Sequence, residues 1–347
     1  MFKHWRKYLA WLFAVVFIYA VTLAYRSWNI HRTSNGAVQL ENQQDPFTYY
    51  AFTFGHVKEK AAIALDSTLV YTVDYGRIKS WNNHSGRYYN PVTIALNALR
   101  AWQDFQYNQS AQGRAIFLAN ARWLRDHQTT TGSWSIPCSN VVEGQVLKAN
   151  WTSALSQGLG LSVLCRAWHL EKDSNYLFVA EKALLPLAKS IDLGGVAFAT
   201  GGGLFFEEYP VGPQGSHVLN GHLYTLFGLY DYWQASQSSL AGHLFAMGLK
   251  GLDQHLPEFD AGTWSRYSLL GEANWRNHYH YSSPWYQKLH ATQLQALAHL
   301  TGEIRYQQYA ERFRNQHQKS PVAWGLFPAY VAYTDLVRCR QLLSFYP

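Results

Sequence analysis

The feature that most constrains the fold is a run of eight segments, beginning near residue 90, with apolar residues at helical spacing. PVTIALNALRAWQDF is the first segment and RYQQYAERFRNQH is the last, and those between them include YLFVAEKALLPLAKSI at residues 176–191 and LHATQLQALAHLTG at residues 289–302. Apolar residues that recur every three to four positions are typical of amphipathic helices with one buried face. Short loops join the segments in consecutive pairs. The pattern predicts a mainly α protein in which paired helices over residues 90–347 close into an (α/α) toroid or barrel with a central cleft.

Three longer irregular stretches, residues 131–148, 192–216 and 258–288, interrupt this pattern. Long loops inside a compact domain are usually functional, so we expect them to line the cleft. Upstream, residues 47–89 contain alternating β-branched and aromatic residues, as in TLVYTVDYGRIKSW. This alternation predicts a small β-rich segment before the helices.

The N terminus carries an 18-residue stretch without charge, YLAWLFAVVFIYAVTLAY, at residues 8–25. A helix of this length spans about 27 Å, enough for a bilayer core. We therefore predict a membrane anchor over residues 1–32, followed by a polar tether over residues 33–46. The preceding basic residues favour a cytoplasmic N terminus, with the catalytic domain periplasmic, lumenal or extracellular. A cleaved signal peptide is the alternative, but no small-x-small cleavage site follows the apolar stretch.

The formal net charge of +7 does not indicate a nucleic-acid-binding protein. Residues 1–32 hold five basic residues and no acid, so the remaining chain is nearly balanced. The three cysteines are widely separated and favour neither a disulfide framework nor a zinc site. His278 and His280 lack a further ligand at a fixed spacing. No phosphate-binding or hydrolase motif is present, so the sequence predicts neither a metal nor a cofactor.

The decapeptide GGGLFFEEYP, residues 201–210, places two carboxylates and a phenol at the end of a strand-like segment. Because successive strand side chains point to opposite faces, one of Glu207 and Glu208 can simply face water. In the second interpretation, one carboxylate and Tyr209 are catalytic. Aromatic residues form 16% of the chain, and they could line a carbohydrate-binding cleft or fill a packed aromatic core equally well. From the residues alone, both interpretations stay open.

Four pieces spread over about residues 75–316 resemble the carboxy-terminal domain of D-glucuronyl C5-epimerases. They are GRYYNPVTIALNAL, VVEGQVLKANWTSALSQG, EEYPVGPQGSHVLNGHLYTLFGLYD and YQKLHATQLQAL. Enzymes of this family convert D-glucuronate to L-iduronate within heparan-type chains. The resemblance implies an (α/α) barrel after a small β part, a uronate-containing polysaccharide as substrate, and a homodimer.

The resemblance also implies roles for individual residues. The implied catalytic residues are Glu208, Tyr209, Tyr267 and Tyr286, of which Tyr267 aligns with a small gap. The implied substrate-binding residues are Asn220, Glu143, His290, Arg87, Tyr88 and Arg276. One position departs from the family, because Leu270 stands where the family has an arginine. If that arginine meets the uronate carboxylate, another cation must replace it, and the candidates are Arg266, Arg276 and Arg87.

Inversion at C5 requires removal of a proton from a carbon beside a carboxylate and its return to the opposite face. A tyrosine with a pKa near ~10 is a costly base at pH 7, by roughly 4 kcal/mol, but it is already a competent donor when protonated. Glu208 is the candidate for the paired base. Three alternatives remain: a polysaccharide lyase with the same first step, a glycosidase with a second acid, and a catalytically idle glycan-binding protein.

Overall fold

The computed structural model describes residues 62–77, 86–142, 145–270 and 281–319 of the chain. This part is mainly helical, as the sequence predicted. Its helices are α1 (Pro91–Asn108), α2 (Ala111–Asp126), α3 (Ala154–Glu171), α4 (Asn175–Lys182), α5 (Leu184–Leu187), α6 (Leu219–Ser236), α7 (Ser239–His255), α8 (Pro284–Thr301) and α9 (Ile304–Lys319).

The helices pack in consecutive pairs around an inner row. Helix α1 packs against α2, α3 against α4, α6 against α7, and α8 against α9. The first members of these pairs also touch one another in chain order, because α3 contacts both α1 and α6, and α6 contacts α8. Helices α3 and α6 are buried on nearly every side for most of their length, as expected of helices at the centre of a layered fold.

Polar side chains set where several helices begin. Asn90 caps α1 by accepting hydrogen bonds from the N–H groups of Val92 and Thr93, and Ser110 and Ser238 cap α2 and α7 in the same manner. Ser283 caps α8, with Pro284 in its first turn. Helix α8 therefore begins five residues before the apolar period that predicted it, and Tyr286 lies in its first turn rather than in the preceding loop. The segment predicted as one helix at residues 176–191 is instead divided into α4 and α5.

Short antiparallel strands precede the first helix and occupy stretches between later helices. They are β1 (Ile63–Leu65), β2 (Tyr71–Asp74), β3 (Arg87–Tyr88), β4 (Ser135–Ile136), β5 (Asn140–Val142), β6 (Gln145–Leu147), β7 (Trp151–Thr152), β8 (Ala197–Ala199) and β9 (Leu204–Phe206). The first three form one sheet in the order β1-β2-β3, where the sequence predicted a small β-rich segment. The others pair as β4 with β7, β5 with β6, and β8 with β9.

The predicted membrane anchor and tether, residues 1–32 and 33–46, lie outside the described residues. Within the described ranges, no helix combines the length and the apolar character needed to cross a bilayer.

Candidate active site

The segment that carries the two glutamates is held in place by the start of helix α3. It continues from strand β9, and the Glu207 N–H donates to the carbonyl of Val196. On its other edge, the Ala154 N–H donates to the carbonyl of Glu207, and the Ser153 hydroxyl donates to the carbonyl of Glu208 at 2.8 Å. These hydrogen bonds hold both edges of the segment, and the two glutamate side chains enter different surroundings.

Neither glutamate faces water, so the first interpretation of this pair is wrong. Glu207 is 0% exposed and Glu208 is 6% exposed. The Glu207 carboxylate accepts hydrogen bonds from Ser216 and His217, in the loop that leads into helix α6. Glu208 points the other way, towards three tyrosines. Since the two carboxylates serve different surroundings, Glu207 is not the second acid that a glycosidase would place opposite Glu208.

The four residues predicted to be catalytic, Glu208, Tyr209, Tyr267 and Tyr286, form one cluster, and their catalytic roles stay a prediction. The Tyr267 hydroxyl donates to Glu208 Oε1 at 3.5 Å, and the Tyr209 hydroxyl is hydrogen-bonded to Glu208 and to Tyr267. Tyr286 is hydrogen-bonded to Tyr267, and the centres of these two rings lie 4.7 Å apart. The result is a continuous chain of hydroxyl groups that leads from Tyr286 to the buried carboxylate.

The burial of the four side chains differs. Glu208 is buried, whereas the three tyrosines are each partly exposed. Part of each tyrosine residue therefore reaches solvent, whereas Glu208 is almost wholly covered.

Burial raises the pKa of Glu208 to about 7, even though hydrogen bonds from Asn220 and two of the tyrosines act to lower it. The nearby Glu207 charge adds to the rise. Burial and the Glu208 carboxylate together raise the pKa values of Tyr209 and Tyr267 well above 10, and that of Tyr286 is also raised. The carboxyl group is thus the member of the cluster that changes protonation near neutral pH, and the phenols stay protonated.

Helix α6 brings Asn220 to the site in its first turn. The Asn220 Nδ2 donates to Glu208 Oε2 at 3.2 Å, so this side chain contacts the carboxylate and does not cap the helix. The next residue must be small, because a Cβ atom on Gly221 would lie 2.7 Å from the Cβ of Glu208. Gln293 on α8 donates to the Asn220 carbonyl at 3.2 Å and holds the two helices together here.

His290 lies one turn after Tyr286 on α8 and is buried. Its Nδ1 is 3.2 Å from the hydroxyl oxygens of both Ser265 and Ser282, and its ring centre is 6.2 Å from that of Tyr286. Burial lowers the pKa of His290 to about 3, so the ring is neutral. Its described contacts fasten the segments beside Tyr267 and Tyr286, and its predicted contact with substrate stays a prediction.

Arg87 and Tyr88 lie on strand β3, in the first sheet. The Arg87 guanidinium donates to the hydroxyl of Thr72 at 2.9 Å, and the Tyr88 ring lies 5.7 Å from that of Tyr75. These contacts are made within the sheet rather than with the tyrosine cluster. The two residues remain predictions as substrate contacts. Glu143 and Arg276 lie outside the described residues.

Leu270 belongs to a small apolar cluster beside the site. It is 8% exposed and packs with Leu147 and Val211, against which Trp151 and Tyr209 also pack. At this position the chain therefore supports the Tyr209 ring with apolar contacts. Arg266, one of the candidate replacements for the family arginine, directly precedes Tyr267 and pairs through its backbone with Tyr281.

The sequence did not single out the side chains that hold the tyrosines in place. The Trp151 ring lies 5.7 Å from Tyr209, and the Trp285 ring lies 4.8 Å from Tyr286. Trp151 lies within one of the pieces that carry the resemblance, and Trp285 directly precedes another. Position in or next to such a motif was the available signal, but 14 tryptophans in the chain make that signal weak.

A buried carboxylate joined to three phenols, at the start of two inner helices, supplies the kinds of group that proton transfer requires. The D-glucuronyl C5-epimerase C-terminus family matches residues 127–315, which is more than half of the chain and includes all four members of the cluster. The chain belongs to this family.

Two curated proteins show how far the likeness extends. A D-glucuronyl C5-epimerase of Caenorhabditis elegans is 38% identical over 167 residues, covering 44% of this chain and 27% of that protein. An uncharacterized protein of Methanocaldococcus jannaschii is 28% identical over 172 residues, covering 48% of this chain and 53% of that protein. The matched part of the chain thus spans about a quarter and about half of the lengths of these two relatives.

Proposed function

We propose that the protein is a uronyl C5-epimerase that converts D-glucuronate to L-iduronate within a glucuronate-containing polysaccharide. Family membership supports the reaction class, and the name of the C. elegans relative supports the substrate. The single observation that carries the proposal is the Glu208 carboxyl group, which is buried, has a pKa raised to about 7, and is hydrogen-bonded to phenols that stay protonated.

In the first step, the Glu208 carboxylate removes the proton from C5. The C–H bonding electrons move into the substrate carboxylate and form an enolate-like intermediate, while Glu208 becomes a neutral carboxylic acid. A pKa near 7 suits this role, because the carboxylate is available at neutral pH and binds a proton more strongly than an ordinary glutamate. The tyrosine hydroxyls are the donors nearest to the growing charge.

In the second step, a tyrosine returns a proton to the opposite face of C5. Tyr286 is the best candidate, because its described link to Glu208 runs through Tyr267 and its hydroxyl therefore lies furthest along the chain of hydroxyls. The intermediate takes the Tyr286 proton and regains the carbon–hydrogen bond. The proton on Glu208 then passes through Tyr267 to Tyr286, so both groups recover their starting forms.

Several finer features belong to the same proposal. We infer that the inner row α1, α3, α6 and α8 is part of an (α/α) barrel and that the site faces its cleft. The transmembrane helix over residues 8–25, a domain placed outside the cytoplasm, and a homodimer remain predictions made from the sequence and the resemblance.

The proposal is tested by incubating the full chain with heparosan, an unsulfated glucuronate polymer, in heavy water. We expect NMR to show deuterium at C5 and new iduronate signals, with no ultraviolet absorbance from unsaturated chain ends. The Glu208→Gln chain should show neither change, and the Glu311→Gln chain, altered at an exposed position on α9, should behave as wild type. Rising absorbance without iduronate would instead identify a lyase. Binding without exchange would contradict any C5 chemistry.

A further inference from the structure

Glu207, next to the proposed base, is fully buried and surrounded by donors from one loop. Its Oε2 accepts hydrogen bonds from the Ser216 N–H at 2.8 Å, the Ser216 hydroxyl at 2.6 Å and the His217 N–H at 2.8 Å. Its Oε1 lies 2.9 Å from His217 Nδ1. Gly215 also lies close to this carboxylate, because a Cβ atom there would come within 2.4 Å of Oε1. Its φ of +68° is a conformation that suits glycine. One carboxylate thus fixes two consecutive residues by hydrogen bonds and closely approaches the glycine before them.

The loop that Glu207 holds leads directly to groups that contact Glu208. Helix α6 starts two residues after His217, and its first turn supplies the Asn220 amide. The same loop also fixes the segment that carries Tyr267, because the Leu219 N–H donates to the Tyr267 carbonyl and the Leu269 N–H donates to the His217 carbonyl. Two donors to Glu208 therefore depend on a loop whose anchor is the neighbouring glutamate.

The charge of Glu207 acts on the same group. The Glu207 carboxylate disfavours a second negative charge nearby and adds to the raised pKa of Glu208. His217 is the titratable group in contact with Glu207, and its ring stacks on Phe205 and packs edge-on to His255. On the other side of the segment, Glu208 is surrounded by the three tyrosines of the cluster and by Asn220.

We propose that Glu207 is a positioning residue for the reaction, which sets Asn220 and Tyr267 against Glu208 and whose buried negative charge helps Glu208 to hold the proton taken from C5. This inference rests on the proposed function, because it assigns Glu207 a part in the work of Glu208. A merely structural role would require the hydrogen bonds of Glu207 but not its charge. That difference separates the two roles by experiment.

The test uses Glu207→Gln, which keeps the size and the accepting oxygen but removes the charge. The full chain is labelled with ¹³C at the glutamate carboxyl carbons, and the Glu208 signal is assigned by its loss in Glu208→Gln. We expect Glu208 to titrate near pH 7 in wild type and about half to one pH unit lower in Glu207→Gln. Glu311→Gln should titrate as wild type. An unchanged titration in Glu207→Gln would overturn the proposal.

A second variant carries the test if Glu207→Gln does not fold. Ser216→Ala keeps the charge and loses one donor, so we expect deuterium uptake at C5 to fall about tenfold while the pKa of Glu208 stays unchanged. An unchanged uptake rate would overturn the positioning role. Because the titration needs no turnover, a titration difference in a chain without C5 exchange would contradict the proposed function, and with it any part of Glu207 in C5 chemistry, while showing that the Glu207 charge acts on Glu208.

Discussion

A buried carboxylate lies at each end of the inner helices α3 and α6, and the two carboxylates have different kinds of partner. Near their C-terminal ends, Asp231 on α6 contacts the Arg166 guanidinium on α3 at 2.7 Å, and both side chains are at most 1% exposed. Near their N-terminal ends, Glu208 has phenols and an amide as hydrogen-bond partners. The main influences on Glu208 are burial, these neutral donors and a second carboxylate, with no cation among them.

The difference is the one expected between a structural carboxylate and a reactive one. A guanidinium beside a buried carboxylate favours the charged form and fixes the geometry. Neutral donors leave the carboxylate close to the balance between its charged and neutral forms, which a group that must accept and release a proton needs. We call the end with the Arg166–Asp231 ion pair the paired end, and the end with Glu208 the unpaired end. We therefore expect changes at the paired end to alter stability, and changes at the unpaired end to alter turnover.

The largest expected effect is on turnover at the unpaired end. Glu208→Gln removes the proposed base while keeping a side chain of the same size, so the rate of iduronate formation should fall by about 10³ to 10⁴. Initial rates by NMR on heparosan measure the change, with Glu311→Gln as the matched control. A Glu208→Gln chain within tenfold of wild type would remove the distinction between the two ends.

The next effect is on stability at the paired end. Arg166→Met leaves Asp231 as a buried charge without its guanidinium and should lower the free energy of unfolding by about 3 to 5 kcal/mol, measured by urea denaturation. Adding Asp231→Leu to the same chain should recover most of this loss, because no buried charge then remains. Turnover per folded molecule should match wild type. A loss below about 1 kcal/mol in the single variant would show that the pair is not what stabilises this end.

A smaller effect should separate the roles of the two proposed proton-transfer groups, Glu208 and Tyr286. Tyr286→Phe keeps the base but removes the proposed donor, so iduronate formation should fall by about 10² to 10³. Deuterium should still enter at C5 of glucuronate, because Glu208 can remove the proton and return one from solvent to the same face. NMR in heavy water separates the two readouts. Loss of exchange and inversion together would place Tyr286 in the first step instead.

The smallest expected effect is the dependence of kcat/KM on pH. Since the carboxylate is the active form and the pKa of Glu208 is raised to about 7, kcat/KM should rise about tenfold per unit below pH 7 and level off above it. Initial rates from pH 5 to 9 test this. A midpoint near the ordinary glutamate value of 4.5 would mean that the base is an exposed or cation-paired carboxylate.

The helices were predictable because their amphipathic period is a local property of the sequence. The apolar period predicted too late a start for helix α8, because the first turn of the helix does not follow that period. The helix begins instead at the cap made by Ser283, with Pro284 in its first turn. That cap signal was present in SSPWYQ. The members of the site came from the resemblance, because residues that are up to 78 positions apart meet only through the packing of α6 and α8.

The surroundings of the two glutamates were beyond sequence reasoning. Alternation along a strand says that Glu207 and Glu208 point in opposite directions, but not what covers each side. The loop at residues 215–217 covers Glu207, and the tyrosines on two later segments surround Glu208. At Leu270 the sequence indicated only that the family arginine is absent. The apolar cluster that Leu270 forms beside Tyr209 depends on Leu147, more than 120 residues earlier.

The most direct measurement compares the free energy of unfolding of wild type and Glu208→Gln from pH 4 to pH 8.5. Folding raises the pKa of Glu208 from 4.5 to about 7, so the folded chain binds a proton that the unfolded chain releases between these values. Wild type should therefore lose stability relative to the variant as the pH rises from about 4.5 to about 7, by about 3 kcal/mol in total, and the difference should stay constant above that. A difference that stays constant across this range would contradict an uncompensated carboxylate at the site.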